Sequence, residues 1–176
     1  MLRLILLRHA KTERDSPSGE DHDRRLDARG HDDASRIGSW LAAHDVPDQA
    51  LVSSAVRARE TWNEIAPLLP KTSMDVVASL YHAEPSDILQ AIRGHADAAT
   101  KGLMVIAHNP GLHELALALI AGGDKHGLRE LQDNLPTSGT AVISFNVKTW
   151  GDIAFRGGNL IRFASPKLLR EAPERL

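Results

Sequence analysis

Two segments of the chain, LILLRHAK at residues 4–11 and LMVIAHNPG at residues 103–111, each run an apolar stretch straight into a histidine. A buried strand usually ends in turn residues, whereas the first of these delivers Arg8 and His9 and the second delivers His108. A third junction, LVSSAVRARET at residues 51–61, offers Arg57 and Arg59. If the strands are parallel, these side chains gather at their carboxyl edge, where open α/β sheets place their ligands. Two imidazoles and at least two guanidiniums in one place suit an oxyanion. Guanidinium grips phosphate by paired hydrogen bonds, and Arg is preferred over Lys where geometry must be fixed. Helix N-termini expected at NPGLHE and beyond VRARET add partial positive charge aimed at the same space. An unprotonated imidazole in such a pocket is a good nucleophile near neutral pH and can accept a phosphoryl group covalently. A backbone carbonyl on its other ring nitrogen would fix the tautomer, and the arginines would stabilise the equatorial oxygens as the group moves. That chemistry requires no metal.

Positioning these groups is a task for alternating strands and helices. Apolar runs predict strands at Leu2–Leu7, Ala50–Ser53, Met74–Ser79, Leu103–Ala107 and Ala141–Val147, with a last one at Ile153–Phe155 or Leu160–Phe163. Between the first four lie helical patterns. One has Asp27 as N-cap and a stripe of Ala34, Ile37, Trp40 and Leu41. The next buries Ala58, Trp62, Ile65 and Leu69, with Pro67 marking a kink or an early end. A short helix starts at Pro85 and stops at Gly94, and a fourth runs from Pro110–Gly111 to Gly122–Gly123. The expected fold is α/β: a three-layer sandwich with a mostly parallel central sheet, helices on both faces and a C-terminal hairpin completing the sheet. Residues Arg14–Arg25, rich in Asp, Ser, Pro and Gly, read as a surface loop near the exit of the first strand.

Composition narrows the rest. At 176 residues the chain is most simply one domain spanning 1–176. Cysteine is absent, which excludes disulfides, thiolate metal sites and a cysteine nucleophile and fits a reducing cytosol. A formal charge of −2 and 4% aromatics argue against nucleic acid as a partner. The N-terminal apolar run is too short for a span and is bracketed by Arg3 and Arg8, so no membrane partner is expected and the localisation reads as cytoplasmic. His108 and His113 are five apart, no His-Glu-x-x-His occurs, and His22, His31, His44, His95 and His126 are expected in solvent, so no metal or cofactor is expected. GGDKHG lacks the order of a P-loop. Arg59 and Glu60 read as helix surface, while Lys11 and Thr12 either touch the phosphate or only shape the loop.

The segment LLRHAKTE resembles the Arg-His-Gly signature of the histidine phosphatase superfamily, with Ala10 in place of the glycine. DHDRRLDARG resembles that family's Leu-Thr-x-x-Gly element, SSAVRARET its Ser-Pro-x-x-Arg-Ala-x-x-Thr element, and VIAHNPGLHEL the second-histidine segment of its short SixA-type phosphohistidine phosphatase branch. LYHAEPSDIL and TSGTAVISF are similar to that branch too. The resemblance implies a phosphoglycerate mutase-like fold with His9 as nucleophile and Arg8, Arg57 and His108 as the phosphate pocket. Arg57 rather than Arg59 fits, four after Ser53 and just before Ala58. Larger branches carry an acid for the leaving group. Here Asn109 follows His108, and His82 and Glu84 are the proton donors the positions leave. A phosphoramidate on histidine leaves as imidazole, with a pKa around 6.5, and needs less help than an alkoxide. The expected substrate is therefore phosphohistidine in a signalling, histidine-phosphotransfer protein. Two alternatives stay open: a phosphatase of small phosphorylated metabolites, and a phosphate-recognition module without turnover. The oligomeric state is not legible in the sequence.

Overall fold

Strands β1 (Leu2–Arg8), β2 (Gln49–Ser53) and β4 (Gly102–Ala107) are apolar on both faces, a pattern that belongs to the middle of a covered sheet. The computed structural model describes residues 1–176 and places them so. Joined by β3 (Ser73–Val77), β5 (Ile120–Gly123), β6 (Thr140–Phe145) and β7 (Gly158–Ala164), they form one seven-stranded sheet in the order β3-β2-β4-β1-β6-β7-β5. Its pairings are parallel except that β6 runs antiparallel to both β1 and β7. Only β6 therefore points against the other six.

Alternate residues of each strand face opposite layers. Ile5, Leu7, Ala50, Val52, Met104 and Ile106 pack on α1 (Ala28–His44) and α2 (Val56–Ile65) through Ile37, Leu41, Ala58, Trp62 and Ile65. Leu4, Leu6, Leu51, Leu103 and Val105 pack on α3 (Pro85–His95), α4 (Gly111–Leu119) and α5 (Lys125–Asp133) through Ile88, Ile92, Leu112, Leu115 and Leu131. The expected three layers are present. The N-cap expected at Asp27 accepts from Gly30 N at 2.7 Å, and α2 gives way at Pro67 to a 3-10 turn over Ala66–Leu68.

One local expectation is corrected, two helices are added, and the last strand takes one of its two expected places. The fourth helix ends at Leu119, not at Gly122–Gly123, and Ile120–Gly123 pairs with β7. Ile120 continues the apolar stripe and so reads as helix, but Gly123 sits at φ +131, where an added Cβ would meet Leu160 O at 2.3 Å. Helices α5, capped by Asp124, and α6 (Pro166–Glu171), capped by Ser165, have no counterpart in the sequence reading. The last strand takes the later of its two positions, and residues 153–155 lie in the connection after a 3-10 turn. Far from the histidines, Asp45 at the end of α1 ties β1 to β7, accepting from Arg3 at 2.7 Å and Arg162 at 2.9 Å. No helix is long and apolar enough to cross a membrane.

Candidate active site

Parallel pairing of β1 with β4 sets Arg8 opposite Ala107, so the next residue on each strand is a histidine. His9 N donates to Ala107 O at 3.2 Å, and the two imidazole centroids lie 5.2 Å apart at the carboxyl edge. His9 is 7% exposed. Its Nδ1 is 2.8 Å from Ala10 O, and because a carbonyl only accepts, Nδ1 carries the hydrogen and Nε2 keeps a bare lone pair. Ala10 is itself fixed by α2, where Thr61 Oγ1 accepts from its N–H at 2.9 Å. Burial, reinforced by Arg57, Arg8 and Arg24 and opposed by the Ala10 hydrogen bond, pushes the His9 pKa down to about 3. The ring is neutral at physiological pH.

His108 is neutral for related reasons. Burial first, then His9, Arg57 and His82, lower its pKa to about 3. Ser53, the last residue of β2, accepts from Ala55 N at 3.3 Å and lies 2.7 Å from His108 Nε2. When its hydroxyl donates to Nε2, the remaining hydrogen of the imidazole sits on Nδ1. That atom is buried and has no partner in the protein.

Neighbouring groups share this condition. Buried polar side-chain atoms without a partner are five in all, and four belong to Arg8, His108, Asn109 and Ser138. The fifth, Trp40 Nε1, lies within the helical layer. Arg8 donates one Nη1 bond to Leu135 O at 3.2 Å and leaves Nε unpaired; Asn109 donates to the same carbonyl at 2.8 Å and leaves Oδ1 unpaired. Ser138, at φ +60, donates its N–H to the carbonyls of Arg8 (3.0 Å) and His9 (3.2 Å) while its Oγ finds nothing. Buried polar groups are normally satisfied, so such a cluster marks where a polar ligand belongs.

Arg57 is brought to the same edge from α2 and is almost fully buried, but its guanidinium is engaged. Nη1 donates to Asp21 O at 2.8 Å and Nη2 to Asp21 Oδ2 at 3.0 Å. Asp21 also accepts from Arg24 at 3.0 Å and from Tyr81 Oη at 2.7 Å, and His82 Nε2 stands 3.3 Å from Oδ2. Burial works to raise the Asp21 pKa, but the hydrogen bonds from Tyr81, Arg24 and Arg57 and the charge of Arg57 prevail and hold it well below the usual carboxylate range. The 14–25 segment is thus bound into the site through a 3-10 turn at Asp21–Asp23.

His82, at φ +55, stacks on Tyr81 with centroids 3.9 Å apart and lies 6.5 Å from His108. Glu84 is exposed at the start of α3, where Asp87 accepts from its N–H at 3.2 Å. His82, Glu84, His108 and Asn109 border one open cleft of about 430 Å³. The fold therefore brings Arg8, His9, Arg57 and His108 together, puts His82 on their rim and leaves Glu84 further out. Arg59 turns away to Ser54 O, and Glu60 accepts from Leu26 N at 2.8 Å. Thr12 is held by Arg24. His22 is not simply solvated: it lies 3.0 Å from Ser54 Oγ and edge-on to Tyr81. Sequence reasoning missed Asp21, Ser53, Tyr81 and Ser138. No three His, Asp or Glu side chains are grouped as a metal site.

The arrangement sets a neutral imidazole among cations and N–H donors. The family model described as histidine phosphatase superfamily (branch 1) matches residues 4–80. An uncharacterized protein of Mycobacterium leprae is 33% identical over 169 residues, covering 92% of this chain and all of that protein. Among solved structures, a candidate phosphohistidine phosphatase SixA from Agrobacterium tumefaciens is similar at 28% identity and TM-score 0.77, over 94% of this chain and 98% of that one. The counterpart from Nakamurella multipartitia, at 24% identity and TM-score 0.82 over 94% and 96% of the two chains, shares the fold.

Proposed function

Because the chain belongs to the histidine phosphatase superfamily, in its SixA-type branch, we propose that it is a phosphatase working through a phosphohistidine on Nε2 of His9, with phosphohistidine in a signalling protein as its substrate. The observation that carries this reading is the set of unpartnered atoms able to donate, Arg8 Nε, His108 Nδ1 and Ser138 Oγ, on residues beside a neutral imidazole whose Nδ1 is already tied.

In the first step the Nε2 lone pair forms a bond to phosphorus while the bond from phosphorus to the substrate nitrogen breaks. Arg8, His108 Nδ1–H and the Arg57 N–H groups that Asp21 leaves free donate to the three equatorial oxygens. In the second step water bonds to phosphorus, the Nε2–P bond breaks, and phosphate leaves. His9 returns as the tautomer it began with, so its Nδ1–H bond to Ala10 is never broken. Of the two expected proton donors, His82 fits the leaving nitrogen better than Glu84, since it is anchored by Tyr81 and Asp21 beside His108.

Asp21 also speaks to the substrate. Its carboxyl is held ionised and cannot give a proton to an alkoxide, and His82 is largely exposed. A site with so little acid suits an imidazole leaving group. Rapid quenching with a phosphohistidine protein should trap an acid-labile phosphoenzyme in the wild type and none in His9→Ala, with turnover at least about 10³-fold lower. Undiminished turnover in that variant removes the covalent scheme. Faster hydrolysis of sugar phosphates than of phosphohistidine removes the substrate.

A further inference from the structure

A second cleft lies on the other flank of His9, and nothing in the reaction above uses it. It encloses about 180 Å³ between Lys11, Arg29, Asp33, Pro136, Thr137, Pro166, Lys167 and Arg170, with no hydrophobic side chain among them. Topology puts it at the same edge of the sheet as the histidines. Lys11 follows β1, Pro166 and Lys167 follow the parallel strand β7, and Pro136–Thr137 precede β6, which starts where the others end. The 135–139 loop is shared by both sites: Leu135 O accepts from Arg8, Ser138 N donates to the carbonyls of Arg8 and His9, and Pro136 and Thr137 line the cleft. The open cleft beside His82 is bordered by residues that follow β3 and β4, this one by residues that follow β1 and β7 and precede β6, with Arg29 and Asp33 of α1.

Four cations face one carboxylate there, in a chain whose formal charge is −2. Asp33 is 3% exposed and organises the pair around it, with Arg170 Nη1 at 3.4 Å and Arg29 Nε at 3.7 Å. Lys11 and Lys167 are exposed and take part in no ion pair, so their charge faces outward uncompensated. Separated cations on flexible stems, spread over an open surface without a ring of fixed donors, fit several carboxylates better than one small oxyanion.

Resting on the phosphatase reading, we propose that this cleft docks acidic side chains of a phosphoprotein substrate next to its phosphohistidine. Binding there selects the protein and speeds encounter, while the chemistry at His9 is unaffected.

Two peptides test this, each with one phosphohistidine flanked by glutamates or by lysines. At low ionic strength the wild type should turn over the glutamate peptide with kcat/KM about tenfold higher, and added salt should shrink the gap. Lys167→Glu, an exposed change with no partner to lose, should bring the two within about threefold by raising KM for the glutamate peptide at unchanged kcat, and leave para-nitrophenyl phosphate turnover as it was. Equal kcat/KM for the two peptides in the wild type, or a preference untouched by Lys167→Glu, overturns the proposal. If neither peptide is hydrolysed while the aryl phosphate is, the substrate reading fails on its own. Fluorescence anisotropy with the unphosphorylated peptides then decides docking: tighter binding of the glutamate peptide, lost in Lys167→Glu, supports it, and equal binding overturns it.

Discussion

At pH 5 nearly every imidazole of an unfolded chain carries a proton, and His9 and His108 are held without one. Their folded pKa values of about 3 lie below the ordinary 6.5, so the unfolded state binds the extra protons. The stability contributed by keeping each ring neutral is full above pH 6.5 and drains away as the pH falls toward 3. By pH 5 each ring costs about 2 kcal/mol. Denaturant unfolding at pH 7 and pH 5 should show a loss of about 4 kcal/mol in the wild type and about 2 kcal/mol in His108→Asn; an identical loss in wild type and variant refutes the neutral pair. The same residues show what sequence can disclose. Arg8, His9 and His108 were legible because a strand that ends in a cation or an imidazole breaks the habit of strands. Asp21 and Tyr81 were not, since their importance arises from Asp21 folding back onto Arg57 across 36 positions of chain and onto Tyr81 across 60. Ser53 hid as the last residue of an apolar run.

Between elements, α4 closely approaches the loop carrying His82. A Cβ on Gly111 would stand 2.0 Å from Ala83 O, so the first turn of α4 rests on the peptide just after His82. Gly111→Ala must push the two backbones apart, at about 2–3 kcal/mol, and carry the His82 ring with them. Thermal unfolding should register that loss and steady-state kinetics a lower kcat. Gly94→Ala provides the contrast: in α3 nothing lies within 4 Å of the added methyl, and stability should rise by about 0.5–1 kcal/mol with kcat unchanged. A wild-type kcat in Gly111→Ala means that the His82 loop is not positioned by this contact. Elements repeat the lesson of the residues. Strands β1, β2 and β4 and helices α1 to α3 were legible from period and caps. β5 was not, because Ile120 prolongs a helical stripe and only its pairing with β7 makes it a strand. Helix α5 carried a usable signal in Asp124 with Leu128 and Leu131, obscured by the glycines before it.

Across the whole molecule, the edge opposite the histidines is closed by Asp45, 4% exposed, between Arg3 on β1 and Arg162 on β7. Both arginines keep over a third of their surface in solvent, so the network is worth less than a fully buried one. Asp45→Asn should cost about 1–2 kcal/mol and lower the melting temperature by roughly 3–8 °C while kcat stays at the wild-type value; a fall in kcat at full stability contradicts a purely architectural role. The reversed direction of β6 has a consequence for descent. Every imidazole and guanidinium of the proposed phosphate site is supplied by the first 108 residues, where strands run out to the working edge. The loop at 135–139 and the lysine of α6 come from the final third, which returns to that edge along the one strand pointing the other way. The proposed docking cleft is thus stitched from both stretches, Lys11, Arg29 and Asp33 from the outgoing one and Pro136, Thr137, Lys167 and Arg170 from the returning one, so exchanges at Lys167 or Arg170 can retune which partner is welcomed while the histidine-bearing stretch is inherited unaltered.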